Sequence, residues 1–344
     1  MRILSVSDFD IAQAAEALKR GRLVAFPTET VYGLGADGFN PAALARVFEV
    51  KNRPRFDPLI IHIARIEGLK LAADLDLLEE EARQKTGLLC ENLWPGPLTL
   101  ILPKRREIPE LATGGLATVA VRLPDHPAAQ KLIALSTGAV AAPSANPFGR
   151  LSPTRAEHVR DQLGDRVDLI LDGGRTRVGV ESTVLDMTGP FPRILRPGGV
   201  PREKIEALIG PVEFSPENNG PVSAPGQLKS HYAPRTPLAL HPPEEMAALA
   251  WEAGTGCLFF CGTSRDRWLR NNPGAGLSSE IRALSETGNT TEAAANLFDI
   301  LHELDRLGLS RLKAEEAPPL GLGPAINDRL RKAAAPKEDS LGSA

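Results

Sequence analysis

Short apolar runs alternate with stretches of helical period along the first 210 residues, and this alternation restricts the fold more than any other feature. The runs are three to six residues long, which is typical of buried strands rather than of helices. The alternation predicts a mixed α/β domain. Strands are predicted at 23–26, 59–63, 98–102, 118–123, 140–142, 169–171 and 183–186, and helices at 77–92, 126–136, 154–163 and 201–209.

Two further helices are predicted from their end signals. Asn40 followed by Pro41 is typical of an N-cap and a first helical turn. Asp8 or Asp10 is expected to cap an earlier helix, which Gly21 ends.

Glycine and proline are unusually frequent. The chain has 31 glycines and 30 prolines among 344 residues, more than the usual combined share of about 12%. They follow no G-x-y period and stand among ordinary apolar runs, which excludes collagen-like and wholly disordered chains. Because 40 basic residues face 43 acidic ones, a strongly basic nucleic-acid coat is excluded as well. We expect a globular protein with many tight loops.

Residues 211–237 are rich in Pro, Gly, Ser and Asn and predict a linker. This segment also contains His231 and Tyr232, which a plain spacer does not need. Strand and helix patterns resume beyond it and predict a smaller α/β unit. The predicted organisation is a domain over 1–210, a linker over 211–237, a second domain over 238–335 and a flexible tail over 336–344.

The cellular compartment is predicted from what the chain lacks. It has no run of about 18 apolar residues and no signal peptide at its N-terminus. Its three cysteines are too few for a disulfide framework and are typical of a reducing compartment. Cys257 and Cys261 bracket an apolar run, so a buried strand explains them better than a zinc site. We expect a cytoplasmic protein that makes no use of a membrane.

The common phosphate and hydrolase motifs are missing, including G-x-x-x-x-G-K-[ST], G-x-G-x-x-G, H-E-x-x-H and G-x-S-x-G. Phosphate chemistry therefore needs another set of residues. One candidate is the basic run Lys51, Arg53 and Arg55 at the end of the helix that Asn40 caps. Such cations are either a solvated helix C-terminus or, held by Pro54, a clamp for phosphate oxygens.

Three other segments combine polar side chains with Pro and Gly. In 142–147, Ser144 and Asn146 can donate hydrogen bonds to a phosphate, although a plain turn explains the segment too. The segment 27–35 suits either a polar binding loop or a structural turn. Arg122 leaves an apolar strand either as a buried ion pair or as a fork for a carboxylate.

His62, Glu181–Thr183 and Arg196–Gly198 complete the candidates, with a satisfied core histidine as the alternative for His62. In this order the motifs over residues 5–210 resemble the YrdC-like family of threonylcarbamoyl-AMP synthases. The segments 223–226 and 231–234 resemble the linker of the family's longer, two-domain members. Residues 321–330 resemble the close of their C-terminal domain.

The resemblance implies a fold and a reaction. It implies an N-terminal YrdC-like domain with a mixed twisted sheet and helices, and a smaller C-terminal Rossmann-like α/β domain. The family makes L-threonylcarbamoyladenylate and pyrophosphate from L-threonine, bicarbonate or CO2, and ATP, with Mg2+ accompanying ATP. A separate transferase complex then modifies the adenosine beside the anticodon of certain tRNAs, so direct tRNA binding is not required.

The resemblance also implies roles for individual residues. The catalytic set, which handles the triphosphate, is Lys51, Arg53, Ser144 and Asn146. Further ATP contacts are Asp57, Thr118, Ser152, Arg196, His231 and Tyr232, the last two as a lid. L-Threonine is expected to contact Thr30, His62, Arg122, Ala142 and Ser182. No residue stands out as a general base, so catalysis is expected to rest on positioning and charge neutralisation.

One residue, Asp57, differs from the family's usual residue. The family typically has Asn where this chain has Asp57, and a carboxylate there repels phosphates unless Mg2+ or Arg55 intervenes. Arg53 is placed at a helix end, so its replacement by Ala is expected to leave the chain folded.

The alternative function is an RNA-binding module that uses Lys51, Arg53, Arg55 and the run 104–106, although the chain has few aromatic residues for stacking.

Overall fold

The computed structural model describes residues 1–214, 224, 226, 231–276, 278 and 280–336. The chain divides into two compact units. Unit 1 comprises Met1–Phe148 and Ser152–Gln227, and unit 2 comprises Gly149–Leu151 and Leu228–Ala344. Much of the predicted linker, including 215–223 and 227–230, lies outside the described residues, as do residues 337–344 of the predicted tail.

Unit 1 is a mixed α/β fold, as predicted. Its helices are α1 Asp8–Lys19, α2 Pro41–Lys51, α3 Leu69–Ala72, α4 Glu80–Leu93, α5 Glu110–Thr113, α6 Pro127–Leu135, α7 Ala156–Leu163 and α8 Arg202–Ile209. Its strands are β1 Arg2–Leu4, β2 Val24–Phe26, β3 Gly33–Asp37, β4 Ile60–Ile63, β5 Leu98–Pro103, β6 Thr118–Arg122, β7 Ala139–Ala141, β8 Leu169–Leu171, β9 Thr183–Asp186, β10 Arg193–Arg196 and β11 Glu213–Phe214. They form one sheet in the order β1-β8-β2-β3-β7-β4-β6-β5-β9-β10-β11.

The middle of this sheet has two different faces. Side chains alternate between the faces along each strand, so the apolar residues Ile61, Val121 and Leu100 fall on the face that packs into the main core. Pairing in the sheet sets His62 opposite Arg122, and Arg122 opposite Thr99. These three polar residues therefore share the other face in one row across β4, β6 and β5.

An apolar row lies beside the polar one on the same face. It consists of Ile60, Ala120 and Ile101, which occupy paired positions two residues away from the polar row. Ala224 is fully buried against this cluster. Ala224 of the predicted linker therefore packs on the same face of the sheet as the polar row.

The helix caps test the end signals in the sequence. Asn40 caps α2, with its side-chain oxygen accepting from the amides of Ala42 and Ala43, and Pro41 opens the helix, as predicted. For α1 the predicted N-cap is wrong, because Ser7 is the cap and accepts from the amide of Asp10, whereas the predicted end is confirmed by Gly21, which has φ 73° directly after the C-cap Arg20. Acidic residues are also favoured inside a first turn by the helix dipole, which is where Asp8 and Asp10 lie.

The strand β3 lies partly inside the segment 27–35, which the sequence describes as a loop or turn. Its first residues are glycine-rich and carry no β-propensity signal. A Cβ on Gly35 would come within 2.8 Å of the Phe26 ring, so glycine permits the close pairing of β2 with β3. The strand depends on tertiary packing, which a local pattern does not display.

Unit 2 is a smaller α/β fold. It contains β12 Leu238–His241, α9 Pro243–Ala248, β13 Thr255–Cys261, α10 Gly262–Asn271, β14 Ile281–Ser285, α11 Thr290–Asp305, β15 Arg311–Glu315 and α12 Gly323–Ala334. Its strands are all parallel, in the order β12-β15-β13-β14. The sequence patterns predict strands near 238–241 and at 257–261 and helices at 244–253, 291–306 and 324–334. They miss α10, β14 and β15, because polar residues interrupt the patterns of these elements.

Candidate active site

Lys51 ends α2 and is buried, with 1% of its surface exposed. Its Nζ donates to the carbonyl oxygens of Ser144 (2.6 Å) and Asn146 (2.5 Å). Burial lowers the pKa of this amine well below its ordinary value, and the nearby Arg53 charge lowers it further. The solvated-cap alternative is therefore wrong: Lys51 holds the backbone of the Ser144-x-Asn146 segment from inside the protein.

Arg53 is also buried, with 7% exposed, so the expectation that it occupies a helix end outside the core is wrong. The helix ends at Asn52, which has a left-handed backbone at φ 52°, and Arg53 follows it directly. Arg53 Nη2 pairs with Asp57 Oδ1 at 2.9 Å and donates to the carbonyl oxygen of Pro58 at 2.8 Å. Arg53 Nε donates to the carbonyl oxygen of Asp57 at 3.1 Å.

Asp57 is fully buried, and burial raises the pKa of its carboxyl group, with the cations Arg53, Lys51 and Arg196 opposing that shift. The cation that pairs with it is Arg53 and not Arg55, which the sequence analysis had considered. The same burial removes the surface patch required by the RNA-binding alternative, since Lys51 and Arg53 are both inaccessible. That alternative is wrong for this patch.

A second buried network connects the segment before β9 with the end of β10. Ser152 Oγ donates to Glu181 Oε1 at 2.5 Å. Arg196 Nη2 donates to the carbonyl oxygen of Ser182 at 2.9 Å and to its Oγ at 3.2 Å. The Ser182 hydroxyl also shares a 2.7 Å hydrogen bond with Thr99. The backbone at residue 198 approaches that of Ser182 closely, which only glycine permits, because a Cβ on Gly198 would lie 2.3 Å from the Ser182 carbonyl carbon.

Arg122 lies at the end of β6 with 4% of its surface exposed. Its Nη2 lies 2.7 Å from Glu29 Oε1 and donates to Thr30 Oγ1 at 2.9 Å. Its Nε donates to the Gly96 carbonyl oxygen at 3.4 Å. The sequence left a buried ion pair and a carboxylate fork open. The ion pair is present, and within the described part of the chain Nη1 has no partner.

His62 is buried beside Arg122 in the polar row. Its Nδ1 lies 3.1 Å from the carbonyl oxygen of Ile60. Burial, and then the charge of Arg122, lower the pKa of His62 to about 3, so the imidazole is neutral at pH 7. A neutral imidazole suits a polar contact with a hydroxyl group, while the satisfied-core alternative also agrees with this environment.

The remaining predicted residues fall in different places. The amide of Ala142 donates to the Ile60 carbonyl oxygen, which sets residue 142 beside β4. Thr118 begins β6 and is partly exposed, on the same face as Arg122 by strand alternation and about 13 Å along the strand. His231 and Tyr232 belong to unit 2.

Within unit 2, Tyr232 has a left-handed backbone at φ 62° and a side chain with 1% exposed. Its ring lies 4.1 Å from the His231 ring and 5.6 Å from that of Phe298, and Arg329 Cζ lies 5.1 Å from its centre. The amide of His231 donates to the carbonyl oxygen of Lys332. The His-Tyr pair is therefore held by α11 and α12.

Glu29 and Thr99 were given no role in the sequence reasoning, and Glu181 was named only within the candidate segment 181–183. For Glu29, a carboxylate between two threonines was the available signal. Thr99 lies within an apolar strand, where alternation alone marks its face.

Neither a metal cluster nor a membrane span is found in the described ranges. No three His, Cys, Asp or Glu side chains are grouped there so that they could bind a metal ion. No described helix has the length and apolar character needed to cross a membrane. All three cysteines, Cys90, Cys257 and Cys261, are free.

Comparison with known proteins gives matches over nearly the whole chain. A family model described as telomere recombination matches residues 16–198, and the model of the threonylcarbamoyl-AMP synthase C-terminal domain matches residues 200–335. The threonylcarbamoyl-AMP synthase of Pyrococcus abyssi is 42% identical over 95% of each chain. That of Bacillus subtilis is 43% identical over 96% of this chain and 94% of the relative.

A solved structure agrees with these matches. The crystal structure of P. abyssi Sua5 complexed with L-threonine has a TM-score of 0.84, with 40% identity over 97% of this chain and 98% of that one. These relatives define the class of the chain as a nucleotidyltransferase. The chain belongs to the threonylcarbamoyl-AMP synthase family. The family resemblance, the α/β fold class and the enzyme class predicted from sequence are confirmed.

Proposed function

We propose that this chain joins L-threonine, bicarbonate or CO2, and ATP into L-threonylcarbamoyladenylate with release of pyrophosphate. The observation that carries the proposal is the set of buried cations in unit 1. Lys51 holds the backbone of the Ser144-x-Asn146 segment, and Arg53 and Arg196 lie with it near Asp57. The guanidinium of Arg122 lies in the polar row with one nitrogen available. Lys51, Arg53 and Arg196 suit a triphosphate, and Arg122 suits the carboxylate of an amino acid.

The threonine half of the site is assigned to the polar row and its borders. Arg122 Nη1 binds the carboxylate, and the hydroxyl of Thr30 is fixed on the same guanidinium at 2.9 Å. His62 is neutral and can hydrogen-bond the substrate hydroxyl without competing for its carboxylate. Ser182 and the backbone at Ala142 complete the pocket.

The nucleotide half is assigned to the cationic networks. Ser144 and Asn146 donate to phosphate oxygens from a segment that Lys51 holds through its backbone. Arg53 and Arg196 contribute charge from water-excluded positions, where electrostatic stabilisation is stronger than in bulk water. Ser152 and Thr118 are proposed as further nucleotide contacts, and Asp57 contacts ATP through its Arg53 partner.

The reaction depends on the orientation of the threonine carbamate and the α-phosphate of ATP more than on a binding loop for the terminal phosphate. The threonine carbamate attacks the α-phosphorus, the bond to the bridging oxygen breaks, and pyrophosphate leaves. Holding these groups in line and neutralising charge on the leaving group lower the barrier. Mg2+ is proposed to enter with ATP on its phosphate oxygens, where it supplies Lewis-acid charge.

The linker and the later fate of the product extend the proposal. His231 and Tyr232 are assigned as a lid that excludes water from the labile anhydride. We assign the cytoplasm as the compartment, in keeping with three unpaired cysteines. A separate transferase complex is proposed to pass the threonylcarbamoyl group on to tRNA.

Product analysis tests the proposal. The full chain is incubated with ATP, L-threonine and isotopically labelled bicarbonate, and nucleotides are separated and weighed by mass spectrometry. We expect an AMP adduct that carries both threonine and one labelled carbon. Formation of ADP, or of an AMP adduct without labelled carbon, would contradict the assignment.

A further inference from the structure

Glu29 is a buried carboxylate that the positioning mechanism leaves unused. Only 1% of its surface is exposed. Its side chain meets the guanidinium of Arg122, with Oε1 2.7 Å from Nη2. Within the described ranges neither carboxylate oxygen accepts a hydrogen bond. Burying a charged carboxylate with so few partners is unfavourable unless a further polar group meets it.

The position of Glu29 relates it to the amino group of the substrate. Arg122 holds Glu29 and Thr30 on Nη2, which leaves Nη1 for the threonine carboxylate. The α-nitrogen of an amino acid lies two bonds from its carboxylate carbon. An amino acid bound at Nη1 therefore brings its ammonium group near the same guanidinium and within reach of Glu29.

The chemistry requires a group that removes a proton at this point. The α-amino group of an amino acid is mostly protonated at pH 7 and then has no lone pair with which to attack CO2. Burial disfavours both charges of an ammonium-carboxylate pair, which makes proton transfer between them easier than in water. We propose that Glu29 is the general base that deprotonates the threonine ammonium before carbamate formation.

The step balances with the substrates already named. The Glu29 carboxylate takes one proton, and the freed nitrogen lone pair forms the N–C bond to CO2. One π pair of CO2 moves onto oxygen, and the second nitrogen proton leaves to water, giving the carbamate. Glu29 then returns its proton to solvent, and the carbamate proceeds to the α-phosphorus. This inference rests on the proposed function and adds a catalytic residue to it.

In the described part of the chain, Arg122 of β6 and His126 lie close enough to Glu29 to interact with its side chain. His126 precedes α6, is partly buried, and has Nδ1 without a hydrogen-bond partner in the described part of the chain. Burial lowers its pKa, while Glu29 and Asp125 oppose that shift and Arg177 adds to it. A neutral imidazole there provides a route for the proton from Glu29 to solvent.

The pH dependence of Glu29→Gln tests the base role. Threonine- and bicarbonate-dependent pyrophosphate release is measured for wild type and E29Q between pH 6.5 and 9.5. General bases typically contribute about 10²–10⁴-fold, so we expect a loss of that size at pH 7. The variant should regain about tenfold per pH unit, because only already neutral amine reacts. Wild type should vary far less over the same range.

Glu315→Gln is the matched control. Glu315 is a buried carboxyl group of unit 2 that accepts from the amide of Phe260, which a glutamine can also do. We expect E315Q to keep the wild-type rate and pH profile. If E29Q does not melt cooperatively and is therefore unfolded, the variant Glu29→Asp is measured in its place. It keeps the charge beside Arg122 but shortens its reach, and we expect at least a tenfold lower kcat with partial recovery at high pH.

Three results would overturn the inference. These are full activity of E29Q at pH 7, a raised KM for threonine with unchanged kcat, and an equal loss at every pH in a folded variant that binds ATP. An unchanged kcat of E29D would overturn it where E29Q does not fold. A wild-type chain that makes no threonine-dependent product contradicts the proposed function instead, so the two failures are distinguishable.

Discussion

Four cationic side chains of unit 1, Lys51, Arg53, Arg122 and Arg196, are almost wholly removed from solvent. Each is held by carbonyl oxygens, by a carboxylate, or by both. Buried charges are tolerated when such partners satisfy them, and they then need little reorganisation when an anionic substrate arrives. At the scale of single residues, the site is therefore built before its substrates bind.

The Arg53–Asp57 pair predicts different effects on stability and activity. Arg53→Met leaves the Asp57 carboxylate buried without its cation, and we expect a loss of about 3–5 kcal/mol in the free energy of unfolding. The double variant R53M/D57N removes both charges and should regain most of that stability while ATP-dependent activity stays low. Denaturant unfolding and pyrophosphate release measure the two quantities. Full folding stability of R53M alone, or recovery of activity in the double variant, would contradict this prediction.

The depressed pKa of His62 predicts a stability change in acid. Burial holds the pKa of His62 at about 3 in the native state, against about 6.5 in an unfolded chain. Between these values only the unfolded state binds the proton, so stability falls as the pH drops from 6.5 towards 3. His62→Gln should make the slope of unfolding free energy shallower by about 1.4 kcal/mol per pH unit. Identical slopes for the two proteins would show that His62 is protonated in the native state.

The family resemblance implied that Lys51, Arg53, Ser144 and Asn146 act as one group, and in the structure Lys51 Nζ donates to the carbonyl oxygens of Ser144 and Asn146. The sequence did not predict that Lys51 and Arg53 face inward. A cation at the end of a helix is usually solvated. Arg53 is buried instead, directly after the left-handed residue Asn52. Glu29 was missed for a related reason, because a carboxylate between two threonines does not reveal which cation it meets.

At the scale of elements, the site depends on the pairing of strands as well as on loops. His62, Arg122 and Thr99 come from three strands and share a row only because β4, β6 and β5 pair in this register. A shift of one residue in any of these strands would turn its polar side chain into the apolar core. The sequence predicted the three strands, but not their order in the sheet, so it could not predict the row.

Helix α12 offers a test of the lid. Arg329 lies over the ring of Tyr232, a contact typically worth about 0.5–2 kcal/mol. If Tyr232 covers the nucleotide as proposed, Arg329→Met should raise the KM for ATP by roughly twofold to thirtyfold. Arg329→Lys, which keeps the charge, should have a smaller effect.

Arg331→Met is the matched control, since Arg331 lies on the same helix, is exposed, and pairs with Glu316 at 3.0 Å. Its KM for ATP should equal that of the wild type. A folded R329M with an unchanged KM for ATP would argue that α12 does not position the lid.

At the scale of the whole molecule, the two units divide the work unequally. Unit 1 contains the large sheet, the main core and every proposed substrate contact except His231 and Tyr232. Unit 2 holds those two residues through contacts with its helices α11 and α12. The sequence predicts two domains with a Pro- and Gly-rich segment between them, because composition changes sharply there. The part taken by α11 and α12 could not be predicted, since it depends on contacts distant in sequence.

A chain that ends at residue 212 tests whether unit 1 can fold without the remaining residues, and whether it can still form product. We expect it to melt cooperatively, because unit 1 has its own sheet and core. It lacks His231 and Tyr232, and it also lacks Ala224, which packs against the apolar row on the polar face of the sheet. Product formation should fall at least tenfold. Turnover equal to that of the full chain would show that neither the linker nor unit 2 is needed.

The central claim is that one site couples three substrates, and pyrophosphate release from ATP tests it most directly. Release is followed with the full chain while L-threonine and bicarbonate are omitted in turn, in buffer freed of dissolved CO2. The proposed reaction predicts release at full rate only when both are present, and near-background release when either is missing. Release that is indifferent to both omissions would contradict the assignment of this chain as a threonylcarbamoyl-AMP synthase.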